Sequence, residues 1–263
     1  KDRIITLNND QNDKFEEYKR NVFDNFINAK ELGSIIKLTD SDNSQITKEY
    51  LREIRDYLSA FNDYDSMDEL YGLQDIQEKL LEILDIAELI INKYVAVITN
   101  PPYLNKMDKS LKEYVMDHYK DVKKDLFSVF IQMNSQMLVK GGYASFMSPY
   151  VWMFISSYEK LRSFLIEERT ISSLVQMEYS AFAEATVPIC TFTIKNSQDY
   201  TGTYIRLSDF TGGMEVQRVK TLEAINNLES CSYRYNIDQT KFKKIPGMPI
   251  AYWASENLLK AFE

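Results

Sequence analysis

Metal ligands, sulfur and glycine are all scarce in this sequence. Cys190, Cys231 and His118 are its only cysteines and histidine. Three such residues far apart have no metal-ligand spacing, and two thiols 41 positions apart make no disulfide framework. A reduced, metal-free, cytoplasmic protein is the expectation. Only Gly33 and Gly72 precede residue 100, so no Gly-rich nucleotide loop can be placed there. Charge interrupts every apolar run before it reaches a membrane-spanning length. No secretory signal and no Met open the chain, which reads as a piece of something longer. Positive charge is lacking too: the net charge of -8 is the wrong sign for gripping phosphates.

What is present is enough for a core, with 44% apolar residues and 13% aromatics over 263 positions. The charge is also unevenly placed. Residues 1–93 hold 21 acids and 12 bases, whereas residues 94–263 hold 18 acids and 19 bases. The acidity therefore belongs to the front, and the rest is neutral. Six lysines, Lys106, Lys109, Lys112, Lys120, Lys123 and Lys124, fall within 104–124 against four acids. A solvated helix face is the plainer reading of that run.

The front, 1–93, reads as a helical segment. Phe15, Tyr18, Val22, Phe23 and Phe26 recur near the helical period, with Gly33 as a stop. Thr47 to Leu58 and Leu73 to Ile91 form two further stripes. After Asn92 the pattern changes. Tyr94-Val95-Ala96-Val97-Ile98-Thr99 is a short apolar run without alternation, as in a strand buried on both faces. Helices at about 109–120 and 125–139 follow, and Gly141-Gly142 reads as a turn into a strand at 143–147. A helix at 157–168 and strands at 171–178, 187–195 and 203–208 complete an α/β pattern. It predicts a parallel sheet joined by one antiparallel strand. From 210 onward, turns are expected to dominate.

Asn100-Pro101-Pro102-Tyr103 ends the first apolar strand, where open α/β sheets place ligand sites. Pro101 holds Asn100 extended, and each proline fixes its own φ. The stiff turn displays an amide, carbonyls without neighbouring N–H donors, and an aromatic face. That set suits a planar amine. An exocyclic amino group is a poor nucleophile because its lone pair is delocalised into the ring. The Asn100 side-chain oxygen and the Pro101 carbonyl can accept its two hydrogens and favour a pyramidal nitrogen, while Tyr103 stacks on the base. A rigid turn with a packed tyrosine is the competing reading, and the strand before the motif argues against it.

The motif is followed by Asp125-Leu126-Phe127, Lys140-Gly141-Gly142, Trp152 and Tyr158-Glu159-Lys160-Leu161-Arg162, and then by a tail from Lys244 to Trp253. In this order the series resembles the amino-methylating DNA methyltransferases of the gamma arrangement. It is most similar to the large adenine-specific methyltransferases of bacterial BREX phage defence, well over 90–263 and loosely before. The resemblance implies the C-terminal half of a Rossmann-like sheet (94–210), with the front (1–93) as a helical insertion. Residues 211–263 would lead toward a target-recognition region. It also implies methyl transfer from S-adenosylmethionine to the amino group of a flipped adenine in DNA. Asn100, Pro101 and Tyr103 would be catalytic. Pro102 and Phe182 would contact the base, and Phe130 would line the donor pocket. Phe130 also shares a helical period with Phe127, Met133 and Met137, which is that of a core face.

The family's Gly-rich donor loop cannot be placed in this sequence. The isolated chain is therefore expected to bind S-adenosylmethionine weakly or not at all and to be inactive alone. The strand at 94–99 is expected to be an open sheet edge. DNA is the expected partner, with other phage-defence proteins as further ones. Three readings compete. One is the methylating half of a fused restriction–modification enzyme. Another is a methyltransferase acting on protein glutamine or RNA, and the last is a non-catalytic binding scaffold.

Overall fold

Each apolar stripe of the front becomes a helix in the computed structural model, which describes residues 9–40, 44–60, 67–179, 187–227 and 230–262. The chain divides into two units, Lys1–Asn92 and Lys93–Glu263. The first contains α1 (Asn9–Asn21), α2 (Ala29–Leu32), α3 (Lys48–Ser59) and α4 (Met67–Ile91), with short 3-10 turns at Phe23–Phe26 and Gly33–Ile35. Gly33 ends α2 at a φ of 56°, as its place after the stripe predicted. Thr47 caps α3 by accepting a hydrogen bond from the Tyr50 amide at 3.2 Å. Tyr18, Val22, Ile54, Leu84 and Ala87 form the buried centre of this unit. There Tyr18 donates to Glu53 at 2.9 Å and meets the Tyr50 and Tyr57 rings edge-on.

The second unit runs β1 (Tyr94–Thr99), α5 (Lys109–His118), α6 (Leu126–Gln136), β2 (Leu138–Pro149), α7 (Glu159–Glu168), β3 (Thr170–Gln176), β4 (Ile189–Lys195), β5 (Thr201–Arg206), α8 (Gly213–Asn226), β6 (Arg234–Asp238) and α9 (Glu256–Lys260). The strands form one mixed sheet in the order β1-β2-β4-β3-β5-β6. β1 pairs with β2, and β3 with β5, in parallel. β4 is antiparallel to both β2 and β3, and β6 is antiparallel to β5. The expected antiparallel strand is thus β4, and it enters between two strands that run the same way. The α/β class holds, as does the position of β1 at the sheet's end.

Three expectations need correction. β1 is not buried on both faces: Val95 is 72% and Ile98 83% exposed. Apolar composition marks a strand, but it does not fix which faces of that strand are buried. Gly141-Gly142 is not a turn, because β2 runs unbroken through it. Here the glycines let two backbones approach: Gly141 adopts a φ of 78°, and a Cβ on Gly142 would stand 2.9 Å from the Val95 carbonyl. The pairing register of β1 with β2 slips at the same place, between Tyr94 and Ala96. Finally, turns do not dominate after 210. α8 packs Ala224 against Ile205 and Leu207, and β6 extends the sheet.

Candidate active site

β1 and β2 run side by side as far as Thr99 opposite Phe146, so the Asn-Pro-Pro-Tyr turn leaves the sheet at its carboxyl edge. Pro101 is buried, while Asn100 and Pro102 are exposed. The Tyr103 hydroxyl lies 3.1 Å from the Asn100 Oδ1 and 3.2 Å from the Met147 carbonyl, and it can donate to either. The Tyr103 ring is 37% exposed and stands edge-on to Phe127, 6.5 Å between centroids. Partial burial raises the Tyr103 pKa above its usual value, so the hydroxyl remains a donor at neutral pH. The turn therefore holds its amide oxygen with its own tyrosine and leaves that tyrosine partly exposed.

The exit of the turn is pinned by Asp125. Its Oδ1 accepts from the Leu104 amide at 3.0 Å and from the Phe127 amide at 3.3 Å, while the Leu126 amide donates to the Leu104 carbonyl at 3.0 Å. One carboxylate thus caps α6 and fastens the turn to it. Burial raises the Asp125 pKa, and the amide hydrogen bonds oppose that rise. Phe127 packs against Tyr158, 5.5 Å between ring centroids, and so carries the α7 end of the chain to the back of the turn.

The chain matches the model of the Eco57I restriction-modification methylase family over residues 6–182. It belongs to that family. The match takes in the helical front, which the motif resemblance covered only loosely. The chain is also 31% identical over 252 residues to the adenine-specific methyltransferase BrxX of Escherichia coli O9:H4 (strain HS), covering 90% of the chain and 19% of that protein. It is likewise 31% identical over 251 residues to the adenine-specific methyltransferase PglX of Lacticaseibacillus casei (strain Zhang), covering 92% and 20%. It spans about a fifth of the length of these curated relatives. One similar solved structure is the methyltransferase subunit of a type I restriction-modification system from Streptococcus thermophilus. Its TM-score is 0.48 at 17% identity, over 61% of this chain and 38% of that one.

Of the residues singled out in the sequence, Asn100, Pro101, Pro102 and Tyr103 share one turn. Phe182 lies outside the described residues. Phe130 is on α6 but not in its core: it is half-buried, as are Met133 and Met137, whereas Phe127, Val129 and Ile131 are buried. The Phe130 side of α6 is thus a partly open apolar face. Sequence reasoning missed the ties made by Asp125 and by the Met147 carbonyl. The first had a visible signal, since Asp just before an apolar helical run is a cap pattern; the second, a backbone atom, had none. Among the described residues no His, Cys, Asp or Glu cluster suits a metal, and no helix is long and apolar enough to cross a membrane.

Proposed function

We propose that this chain supplies the amine-binding turn of a DNA adenine methyltransferase. The observation that carries the reading is the Asn100–Tyr103 turn, displayed at the carboxyl end of β1 and fastened behind by Asp125. A flipped adenine would place its amino group between the Asn100 Oδ1 and the Pro101 carbonyl, with its ring on Tyr103 over Pro102. The tyrosine hydroxyl would then give up Asn100 and keep the Met147 carbonyl, which already lies within reach. Phe182 would close the other face of the base.

S-adenosylmethionine would supply an electrophilic methyl group to that nitrogen. The open apolar face of α6 fits one side of such a donor, with Phe130 against it. No Gly-rich turn lies beside Asn100 among the described residues, so the rest of the grip would come from elsewhere in a full-length protein. In this reading a further parallel strand covers β1, the helical unit is an insertion, and residues 211–263 lead toward target recognition. The isolated chain would bind the donor weakly and be inactive. The work would be done on DNA in the cytoplasm, beside other phage-defence proteins.

Methyl transfer by the full-length protein, assayed on DNA, RNA and protein, tests the reading. Asn100→Ala should lower kcat on DNA by about 100-fold or more with DNA binding retained, the scale for losing a group that holds the reacting centre. Tyr103→Ala should cost roughly 10–100-fold through lost stacking, and Tyr103→Phe much less. Full activity of Asn100→Ala, or transfer to RNA or protein in place of DNA, would refute it.

A further inference from the structure

Beside the turn lies a groove of about 1170 Å³ whose wall is assembled from separate segments. Lys106 comes from the chain just after the motif, and Lys112 from α5. Lys120, Lys123 and Lys124 come from the loop before α6, and Lys160 from α7. Only Asp121 and Glu159 oppose these six lysines in the lining, and Asp121 is already engaged by Lys160. Lys106, Lys112, Lys120 and Lys123 have no salt bridge among the described residues. Elsewhere in the same unit Lys195, Lys220, Lys241 and Lys243 each have a carboxylate at 2.5–3.5 Å, while Lys140 and Lys260, which also have no salt bridge among the described residues, lie outside this groove. A solvated helix face does not account for unpaired cations that converge on one concavity from several elements.

We propose that this groove seats the phosphate backbone of DNA next to the base being methylated. The proposal rests on the methyltransferase reading, and charge complementarity chooses the occupant. A polyanion gains by releasing counterions to several lysines at once. Ser156, Ser157 and Ser163 add hydroxyl donors of the kind that contact phosphates. The place is right as well. Asn105 and Lys106 follow the turn directly, and Lys124 precedes the Asp125 that fastens it. A strand lying in the groove therefore passes the turn, and its contacts carry register rather than sequence. This gives an acidic chain a local cationic track and removes the objection raised by its net charge.

The test compares the full-length protein with its Lys106→Gln, Lys112→Gln, Lys120→Gln, Lys123→Gln quadruple variant, binding a labelled DNA duplex across about 50–200 mM salt. The slope of log affinity against log salt should flatten by about 3–4, with affinity falling roughly 10–100-fold at the upper salt. In the methylation assay KM for DNA should rise while kcat at saturating DNA holds. A control variant with Lys19, Lys30, Lys48 and Lys79 changed to Gln removes equal charge from the other unit and should leave the slope alone. An unchanged slope in the quadruple variant, or an equal change in the control, would overturn the proposal. So would a loss confined to duplex RNA or to association between protein copies. The two readings fail separately. Groove-dependent DNA binding without methyl transfer by the wild type would sink the methyltransferase reading and leave the groove standing.

Discussion

At one edge of the sheet β6 carries Arg234, Asn236 and Asp238; at the other, β1 reads Tyr-Val-Ala-Val-Ile-Thr without a charge. Both are terminal strands, and both present backbone groups that no further strand in the described chain satisfies. β6 is blunted in the way solvent-facing edges usually are, with charges and a five-residue length. Its end is also closed by its own chain. Gln239 follows directly, is fully buried, and accepts from the Ile171 amide at 2.8 Å while donating to the carbonyls that end α7. Among the described residues β1 shows no such device, and its exposed Val95 and Ile98 would invite aggregation if they stayed in water. One edge is finished by its own chain, and the other leaves apolar side chains exposed. The candidate turn hangs from the unfinished edge, as expected if the site is completed by what covers it.

A charge placed on each edge separates the two most sharply. In the full-length protein, Ile98→Lys should destabilise by about 3–5 kcal/mol, since a covering strand would bury an unpaired ammonium. Asn236→Lys on β6 should stay within about 0.5 kcal/mol. Chemical denaturation of both variants gives the numbers. Equal, small effects would show that β1 is an ordinary solvent edge and break the comparison. In the isolated chain the order should vanish, because there Ile98 is already 83% exposed.

The finished edge can be loosened from its own side. Gln239→Ala would strand the Ile171 amide and the carbonyls of Ile166 and Arg169 in a buried place. About 2–3 kcal/mol of stability should be lost, the scale for leaving buried polar groups unmade. Hydrogen exchange should quicken first in β6 and at the start of β3. Unchanged protection there would mean that the edge is held by something other than this side chain.

These contrasts also mark what could be read from the sequence. The apolar run ending in Asn-Pro-Pro-Tyr was legible because strand, stiffness and acceptors are all local properties. Asp125 was legible as a helix cap. Its hold on Leu104 was not, because that contact spans 21 positions. α8 escaped because its apolar residues do not mark its buried side: Met214, Val219, Leu222 and Ile225 are exposed, while Gln217 and Ala224 are buried. Gln217 earns its place by polar contacts instead, accepting from the Glu178 amide and donating to the Phe210 carbonyl. Periodicity reports a helix only when burial follows hydrophobicity. The lysine groove was visible as a charge run, but its concavity depends on α7, some 40 residues further on.

The smallest expected effect concerns the tie on the open side, Asp125. Burial raises its folded pKa above the ordinary aspartate value. Between the unfolded and folded values the native state binds more protons, so this carboxyl's contribution falls as pH rises through that window and then stays low. Ionised Asp125 caps α6 and holds Leu104, yet it does so against its own desolvation. Asn keeps an accepting oxygen without the charge. Asp125→Asn should therefore be neutral or more stable by a few tenths of a kcal/mol at neutral pH, whereas Asp125→Ala, which has no acceptor, should lose about 1 kcal/mol. Measured by urea unfolding, wild type should decline relative to Asp125→Asn as pH rises from the ordinary carboxylate value. The opposite trend would mean that the amide hydrogen bonds outweigh burial. The turn at the open edge would then be anchored by a carboxylate that favours its charge, as firmly as Gln239 anchors the closed one.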